Sequence, residues 1–286
     1  NQKKKEVILI IKLLLFLFYK RNDLMNKYKL YNDDCLEIMD KLIEEGVKVD
    51  CILTDVPYGT TACKWDNVIP FEEMWKRLNN LLSVGASVII FSGGIFTPRV
   101  MLSNINDYKY KYVWVKNNST NFVHAKNRPL TKHEDILVFS PYPMGHKSLL
   151  GDKRMVYNPQ GIIPCNKTIK AGKGRFGTVA GVRPSQKGEF VREYTNYPTD
   201  VLTEFPEVPA NKKVHTNQKP VELLEFLIKT YTNDGDTVLD FTMGSGSTGV
   251  ACGNTKRDFI GVELEKEYFD ICINRLQQFN PEIATI

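Results

Sequence analysis

The sequence is poor in metal-binding residues and contains no hydrophobic run long enough to cross a membrane. Its six cysteines include no C-x-x-C pair, and only four histidines are present. This spacing argues against a zinc site, and we expect no metal and free thiols in a reducing cytoplasm. The apolar run at residues 7–18 is interrupted by Lys12 and falls short of the ~20 residues that a membrane span needs. We therefore expect a cytoplasmic protein without a membrane partner.

Positive charge is in modest excess, and the composition is that of a folded protein. The 286 residues carry a net charge of +5, with 42% hydrophobic and 25% charged residues, which excludes disorder and permits a polyanionic partner. This length suits one large α/β domain with a smaller appendage. In residues 1–24, Lys3, Lys4 and Lys5 precede the apolar run, and no small-residue cleavage site follows it. We expect them to be a leader outside the fold, with Met25 as the natural start.

Hydrophobic periodicity predicts strands and helices that alternate on both sides of an irregular middle region. Before that region it predicts strands at 28–31, 49–54 and 86–91, helices at 35–45, 71–82 and 98–106, and a hairpin-like pair of strands at 110–116 and 135–139. After it follow helices at 220–230, 249–254 and 266–279 and strands at 237–240 and 259–263. Such alternation predicts a doubly wound α/β fold, with a mixed, mostly parallel sheet covered on both faces.

The middle region is rich in glycine, proline and basic residues. Residues 145–213 contain 12 Lys or Arg against 6 Asp or Glu, a local charge of +6 that exceeds the charge of the whole chain. Two interpretations stay open: a long solvated insertion, and a module that contacts the phosphates and bases of a nucleic acid. For the second we predict phosphate or base contacts by Lys173, Arg175, Arg183 and Lys187. Tyr194 and Tyr197 could stack on bases, but we expect these two rings to be buried.

A glycine-rich loop between a predicted strand and a predicted helix indicates a nucleoside-containing cofactor. Asp240 ends the strand, and Gly244 and Gly246 let a ligand approach the backbone. Glu263 ends the next strand, where a carboxylate can accept hydrogen bonds from ribose hydroxyls. The loop also matches the G-x-G-x-x-G pattern of nicotinamide dinucleotide sites, so a nicotinamide dinucleotide is an alternative cofactor. A carboxylate at Asp240 would repel a pyrophosphate, however, and it suits the cationic end of S-adenosylmethionine.

A second candidate site is the tetrapeptide Asp55-Val56-Pro57-Tyr58, which follows the strand predicted at 49–54. An exocyclic aromatic amine is a poor nucleophile because its lone pair is delocalised into the ring, and acceptors for both amine hydrogens free that lone pair. The Asp55 carboxylate and the Val56 carbonyl can be those acceptors, Pro57 stiffens the turn, and Tyr58 offers a ring for base stacking. Such catalysis rests on positioning and electrostatics. Taken alone, the tetrapeptide is also typical of a turn that ends a strand.

Together these motifs resemble the β class of amino-group DNA methyltransferases, whose catalytic tetrapeptide is D/N/S-P-P-Y/F and whose cofactor loop is D-P-F-x-G-S-G-T. Further elements of the class are similar to residues 32–35, 113–116, 133–139 and 215–220. The order of motifs in the class divides this chain into a catalytic half at 25–142, a target recognition region at 143–213 and a cofactor-binding half at 214–286. Three departures stand out: Val56 replaces a proline, Phe241-Thr242 replaces Pro-Phe, and Thr216-Asn217 replaces Pro-Thr.

The resemblance implies a Rossmann-like methyltransferase that uses S-adenosylmethionine and flips a base out of duplex DNA. It implies catalytic roles for Asp55, Val56, Pro57 and Tyr58. It implies cofactor-binding roles for Asp34, Asp240, Phe241, Gly244, Gly246, Glu263 and Lys219. Glu263 would take the ribose hydroxyls, and Asp240 would lie near the amino-acid end of the cofactor.

An aspartate at the head of the tetrapeptide favours the N6 amino group of adenine, because members of the class that act on cytosine usually carry serine there. Cytosine N4 and RNA stay open as alternative targets, and so does a DNA-binding or nucleotide-sensing module without turnover. Among partners, the resemblance makes duplex DNA the expected one. It leaves open a homodimer and a cognate restriction endonuclease within a restriction–modification system.

Overall fold

The computed structural model describes residues 27–59, 67–170, 189–215, 217–280 and 283–285. The predicted leader and the four basic residues Lys173, Arg175, Arg183 and Lys187 lie outside these residues. The described chain forms two compact units, a larger one that extends to Tyr157 and resumes at Val201, and a smaller one, Asn158–Asp200. None of the described helices is long and apolar enough to cross a membrane.

Strands and helices alternate as the periodicity predicts. The strands are β1 Tyr28–Tyr31, β2 Val49–Thr54, β3 Leu82–Ser92, β4 Tyr108–Thr120, β5 Thr131–Phe139, β6 Ile163–Lys170, β7 Glu189–Thr195, β8 Val201–Leu202, β9 Thr237–Asp240, β10 Asp258–Val262 and β11 Ala284–Thr285. The helices are α1 Cys35–Glu44, α2 Phe71–Leu81, α3 Phe96–Ser103, α4 Lys147–Leu150, α5 Val221–Tyr231, α6 Ser247–Thr255 and α7 Lys266–Leu276.

The larger unit is built on a mixed sheet in the order β11-β1-β10-β9-β2-β3-β5-β4-β8. The neighbours from β11 to β3 run parallel, and β5 is antiparallel to both β3 and β4. The predicted fold class, a doubly wound and mostly parallel α/β sheet, is therefore confirmed. The hairpin-like pairing predicted for the later strands is confirmed by β4 and β5.

Hydrophobic side chains fill both faces of this sheet. In β2, Cys51 and Leu53 belong to the cluster that packs under α5, α6 and α7, whereas Ile52 belongs to the cluster under α1, α2 and α3. Successive strand residues point to opposite faces, so a strand covered on both sides needs a continuous apolar run. This is why β2 lacks the polar alternation of a half-exposed strand.

Several element boundaries differ from the predicted ones for identifiable reasons. Helix α3 begins at Phe96, two residues before Pro98, because proline is tolerated in the first turn of a helix. Helix α6 begins at Ser247 instead of 249, since Gly246 at φ +77° is its N-cap. Strand β4 continues to Thr120, where pairing with Thr131 of β5 sustains an extended backbone through polar residues.

The smaller unit contains the antiparallel hairpin of β6 and β7. Tyr194 and Tyr197 are 38% and 59% exposed, so our expectation that these two rings are buried is wrong. A two-stranded ribbon buries little of either face, which explains the difference. The predicted region 143–213 is longer than this unit, and its flanks belong to the larger unit: Met155 is in the core and β8 pairs with β4.

Candidate active site

The two motifs meet at the point where the strand order of the sheet reverses. Strands β2 and β9 are parallel neighbours, with Cys51 opposite Val238 and Ile52 opposite Leu239. The chain continues from β2 to β3 on one side and from β9 to β10 on the other. In doubly wound sheets this reversal opens a crevice at the carboxyl ends of the strands, where ligands bind.

A cavity of about 690 Å³ lies at this edge. Its lining includes Asp34, Asp55, Val56, Pro57, Tyr58, Lys219, Asp240, Phe241, Gly244 and Glu263, which are all but one of the predicted catalytic and cofactor-binding residues. The exception is Gly246, whose backbone begins α6 and packs so closely on Cys272 that a Cβ atom would collide with its sulfur. Residues far apart in sequence thus share one cavity, as the two motifs required.

The Asp55 carboxylate is held from two sides. Its Oδ1 accepts a hydrogen bond of 3.1 Å from the Tyr58 hydroxyl, and its Oδ2 forms an ion pair with Lys219. Burial raises the pKa of the Asp55 carboxyl, and the Lys219 ammonium opposes that rise. The Tyr58 ring stacks on Phe96 at a centroid distance of 4.7 Å and an angle of 20°, which fixes the orientation of its hydroxyl.

Lys219 lies at the tetrapeptide, and sequence reasoning missed its partner Glu134 and the second cation on Glu134, Lys116. The Lys219 ammonium is 3.4 Å from Glu134, which also pairs with Lys116. Burial would lower the pKa of Lys219, but Asp55 and Glu134 outweigh it and raise that pKa, so Lys219 is an ammonium at neutral pH. Burial would likewise raise the pKa of Glu134, but the two ammonium groups lower it.

One sequence signal for this network existed. Lys116 ends the first of the two strands predicted to pair and Glu134 immediately precedes the second, and in the structure Trp114 lies directly opposite Glu134. Opposite charges at neighbouring positions of paired strands stabilise each other. The contribution of Lys219, from the segment before α5, carried no such signal because it depends on the packing of distant segments.

The Asp240 carboxylate organises the glycine-rich turn. Its Oδ2 accepts a hydrogen bond of 2.6 Å from the Thr248 hydroxyl, and its Oδ1 accepts one of 3.2 Å from the Thr242 amide. The residue is only 4% exposed, and burial raises its pKa to about 7, although the hydrogen-bond donors oppose the rise. A change of pH or a nearby cation can therefore change the charge of this group.

Glu263 connects the turn to the loop after β10. Its Oε2 accepts from the Gly244 amide and its Oε1 accepts from the Glu265 amide, each at 2.8 Å. Burial raises the pKa of the Glu263 carboxyl, with the backbone donors in opposition. Asn32 fixes the same loop by donating to the carbonyl of Glu263 at 2.8 Å.

The remaining predicted cofactor residues, Asp34 and Phe241, line the cavity and also stabilise the elements around it. Asp34 is the N-cap of α1, with its Oδ1 accepting from the Leu36 amide at 2.8 Å. Phe241 is only 1% exposed and packs in the core. Sequence reasoning also left His215 and Tyr268 without roles, although both line the cavity and their rings meet edge to face at 4.2 Å. Burial, together with Lys219, lowers the pKa of His215 to about 4, so the ring is neutral at pH 7.

Two threonine hydroxyls join the end of β2 to the glycine-rich turn after β9. The Oγ1 atoms of Thr54 and Thr242 are 2.6 Å apart, and the Thr242 hydroxyl donates to the backbone carbonyl of Asp55 at 3.3 Å. The required proximity of the two strand ends is therefore present. Neither threonine could be selected from the sequence, because the contact spans the two halves of the chain.

Comparisons with known proteins agree with this geometry. A family model described as DNA methylase, of the N6/N4 type, matches residues 49–274. The type II methyltransferase M.HpaI of Haemophilus parainfluenzae is 27% identical over 252 residues, which cover 84% of this chain and 72% of the relative. M1.MboII of Moraxella bovis is 25% identical over 253 residues, which cover 84% and 93%.

Solved structures share the same architecture. The complex of M1.HpyAVI with S-adenosylmethionine is 25% identical, with a TM-score of 0.57 over 87% of this chain and 98% of that one. The cytosine-N4-specific PvuII DNA methyltransferase has a TM-score of 0.59 over 88% of both chains. Its sequence identity is 16%, so this second likeness concerns the fold alone.

Proposed function

Because this chain belongs to the N6/N4 DNA methylase family, we propose that it transfers a methyl group from S-adenosylmethionine to the N6 amino group of adenine in duplex DNA. The observation that carries the proposal is the meeting of two strand ends in one cavity. Asp55 follows β2, Asp240 ends the neighbouring β9, and the Thr54 and Thr242 hydroxyls join the two ends at 2.6 Å.

The cavity suits S-adenosylmethionine in its volume and in the carboxylates that line it. Its volume of about 690 Å³ falls in the range of small-molecule sites. We assign Glu263 to the ribose hydroxyls, since a carboxylate that accepts two backbone amides has lone pairs left for further donors. We assign Asp240 to the cationic amino-acid end and Gly244 to the close approach of the backbone, while Gly246 supports the turn by packing on Cys272. Bound S-adenosylmethionine would supply an electrophilic methyl group on a sulfonium centre.

The tetrapeptide prepares the acceptor amine. The Asp55 carboxylate and the Val56 carbonyl accept hydrogen bonds from the two amine hydrogens, which makes the nitrogen lone pair available for the methyl group that bound S-adenosylmethionine would supply. The proton lost from nitrogen leaves through the Asp55 carboxylate, and Lys219 stabilises the ionised form of that group. Tyr58, backed by Phe96, is the stacking surface for a base flipped out of the duplex.

Adenine is the proposed base because an aspartate heads the tetrapeptide. Cytosine N4 is the alternative to test, since a cytosine-N4-specific enzyme has the same fold. Duplex DNA is the proposed partner, supported by type II methyltransferases among the relatives and by the basic middle region. The same relatives support a role in a restriction–modification system, with a cognate endonuclease as a separate partner and a homodimer as a form to test.

The decisive experiment supplies labelled S-adenosylmethionine and duplex DNA of mixed sequence, then separates the hydrolysed nucleosides by mass. We expect label in N6-methyladenine. Asp55→Ala should abolish transfer and leave cofactor binding nearly unchanged, whereas Asp270→Ala, which alters an exposed pair with Lys266 on α7, should behave as wild type. Label in N4-methylcytosine would overturn the choice of base, and no label in any nucleoside would overturn the proposed activity.

A further inference from the structure

The hydroxyl pair of Thr54 and Thr242 holds the backbone of the catalytic turn against the cofactor turn. Thr54 is 1% exposed, and the Thr242 amide donates to the Asp240 carboxylate at 3.2 Å. Thr242 contacts the backbone of the other motif through the Asp55 carbonyl. A continuous chain of polar contacts therefore runs from the group assigned to the cofactor to the group assigned to the target amine.

The Asp55 carbonyl belongs to the peptide that connects Asp55 and Val56. A peptide unit is planar, so a donor that fixes this carbonyl also fixes the plane from which the Val56 backbone continues. Val56 has no ring to restrict its φ angle, as a proline would have, although its side chain is 3% exposed and packed in the core. The orientation of the Val56 carbonyl thus depends on the Thr242 hydroxyl and on the following Pro57.

Each hydroxyl has one proton to donate and can accept from others. The Thr242 hydroxyl can therefore donate to the Asp55 carbonyl while it accepts from the Thr54 hydroxyl. Removal of one hydroxyl takes a hydrogen bond away from a buried polar partner. Only a shift of the turn can bring another donor or acceptor to that partner.

We propose that Thr242 and Thr54 are positioning residues, which hold the Asp55–Val56 peptide in register with the cofactor turn. The inference rests on the proposed methyl transfer. Loss of the hydroxyl pair should slow the chemical step and should change the affinity for the cofactor little. Misplacement of reacting groups by about 1 Å can lower a rate by about 100-fold, so a shift of this turn has a measurable consequence.

The test compares Thr242→Val, which keeps the shape and removes the hydroxyl, with Thr242→Ser, which keeps the hydroxyl. We expect the valine variant to lose roughly 10- to 100-fold in kcat, with the dissociation constant for S-adenosylmethionine changed less than about 3-fold. The serine variant should stay within about 3-fold of wild type. Thr230→Val is the matched control, because that buried hydroxyl donates to the Phe226 carbonyl inside α5, away from the cavity.

A double-variant cycle separates this inference from the proposed function. Thr54→Val should lower kcat like Thr242→Val, and the pair of changes should lower it little further, because both break the same contact. Equal kcat for wild type and Thr242→Val, equal losses in the valine and serine variants, or additive losses in the cycle would each overturn the inference. An inactive wild type would overturn the proposed activity instead, and the same cycle measured on unfolding free energy would then decide whether the hydroxyl pair is coupled.

Discussion

At the scale of single residues, Lys219 is the cation shared by two partly buried carboxylates, Asp55 and Glu134. Lys219→Met would leave Asp55 and Glu134 facing each other without the ammonium between them. We expect kcat to fall at least 100-fold and the free energy of unfolding to fall by about 3 kcal/mol, as for other broken buried pairs. Urea denaturation and steady-state kinetics measure both effects. Lys266→Met, on an exposed pair with Asp270, should change neither.

Asp240 gives the protein a pH dependence of defined sign. Its ordinary pKa of 3.8 is raised to about 7 in the folded state, so the folded carboxyl binds its proton more tightly than the unfolded one. Its contribution to stability is therefore present below about pH 4 and is lost as pH rises through 7. In wild type the free energy of unfolding should fall between about pH 4 and pH 7, and in Asp240→Asn this fall should be smaller. An identical pH profile for variant and wild type would contradict the raised pKa.

The charge of Asp240 also makes a prediction for the cofactor. If the cationic end of S-adenosylmethionine lies beside this carboxylate, binding favours the ionised form. The affinity should then rise with pH by up to about tenfold per unit below 7, and the dependence should be absent in Asp240→Asn. Calorimetric titrations at several pH values measure this. A dependence that persists in the variant would assign the cationic end to another group.

At the scale of elements, the reliability of the sequence-based bounds depended on burial. Strands β1, β2 and β9 have the predicted bounds, because each is a short apolar run that ends at polar residues. The end of β4 could not be predicted, since its last residues favour turns and stay extended only through pairing with β5. Lys219 and Asp55 are 164 residues apart, and no local pattern indicates that they form a pair.

The loop between β4 and β5 makes an electrostatic prediction. Residues 121–130 contain Lys126 and Arg128 and no acidic residue, and the loop follows Thr120 and begins at Asn121, both of which line the cavity. We expect the double variant Lys126→Gln/Arg128→Gln to bind duplex DNA more weakly and to reduce the slope of log affinity against log salt by about 2. The affinity for S-adenosylmethionine should not change.

The matched control for that loop removes two positive charges from another part of the larger unit. Lys41→Gln/Lys76→Gln removes two exposed cations from α1 and α2. Fluorescence anisotropy at several salt concentrations should give the control a slope close to that of wild type. Equal slopes for both double variants would mean that the loop between β4 and β5 makes no specific phosphate contacts.

At the scale of the whole molecule, the candidate active site belongs to the larger unit. The cavity is lined by residues on both sides of the smaller unit in sequence, and no residue of Asn158–Asp200 is among its described lining. Cofactor binding should therefore depend on the larger unit, whose sheet and two hydrophobic clusters are complete without the hairpin. The change of composition predicts a separate basic region at 143–213, but it could not indicate that the flanks of this region, at Met155 and β8, join the larger unit.

Replacement of Asn158–Asp200 by a flexible Gly/Ser linker between Tyr157 and Val201 tests this division. The shortened chain should fold and should be stabilised by S-adenosylmethionine as wild type is, by about 2.7 kcal/mol at a concentration 100 times the dissociation constant. It should lose the methylation of specific duplex sites, because recognition is assigned to the basic region. Thermal unfolding with and without cofactor and sequencing of methylated DNA measure the two outcomes. Retained site-specific methylation would move recognition to the larger unit, and lost cofactor stabilisation would show that the cavity needs the smaller one.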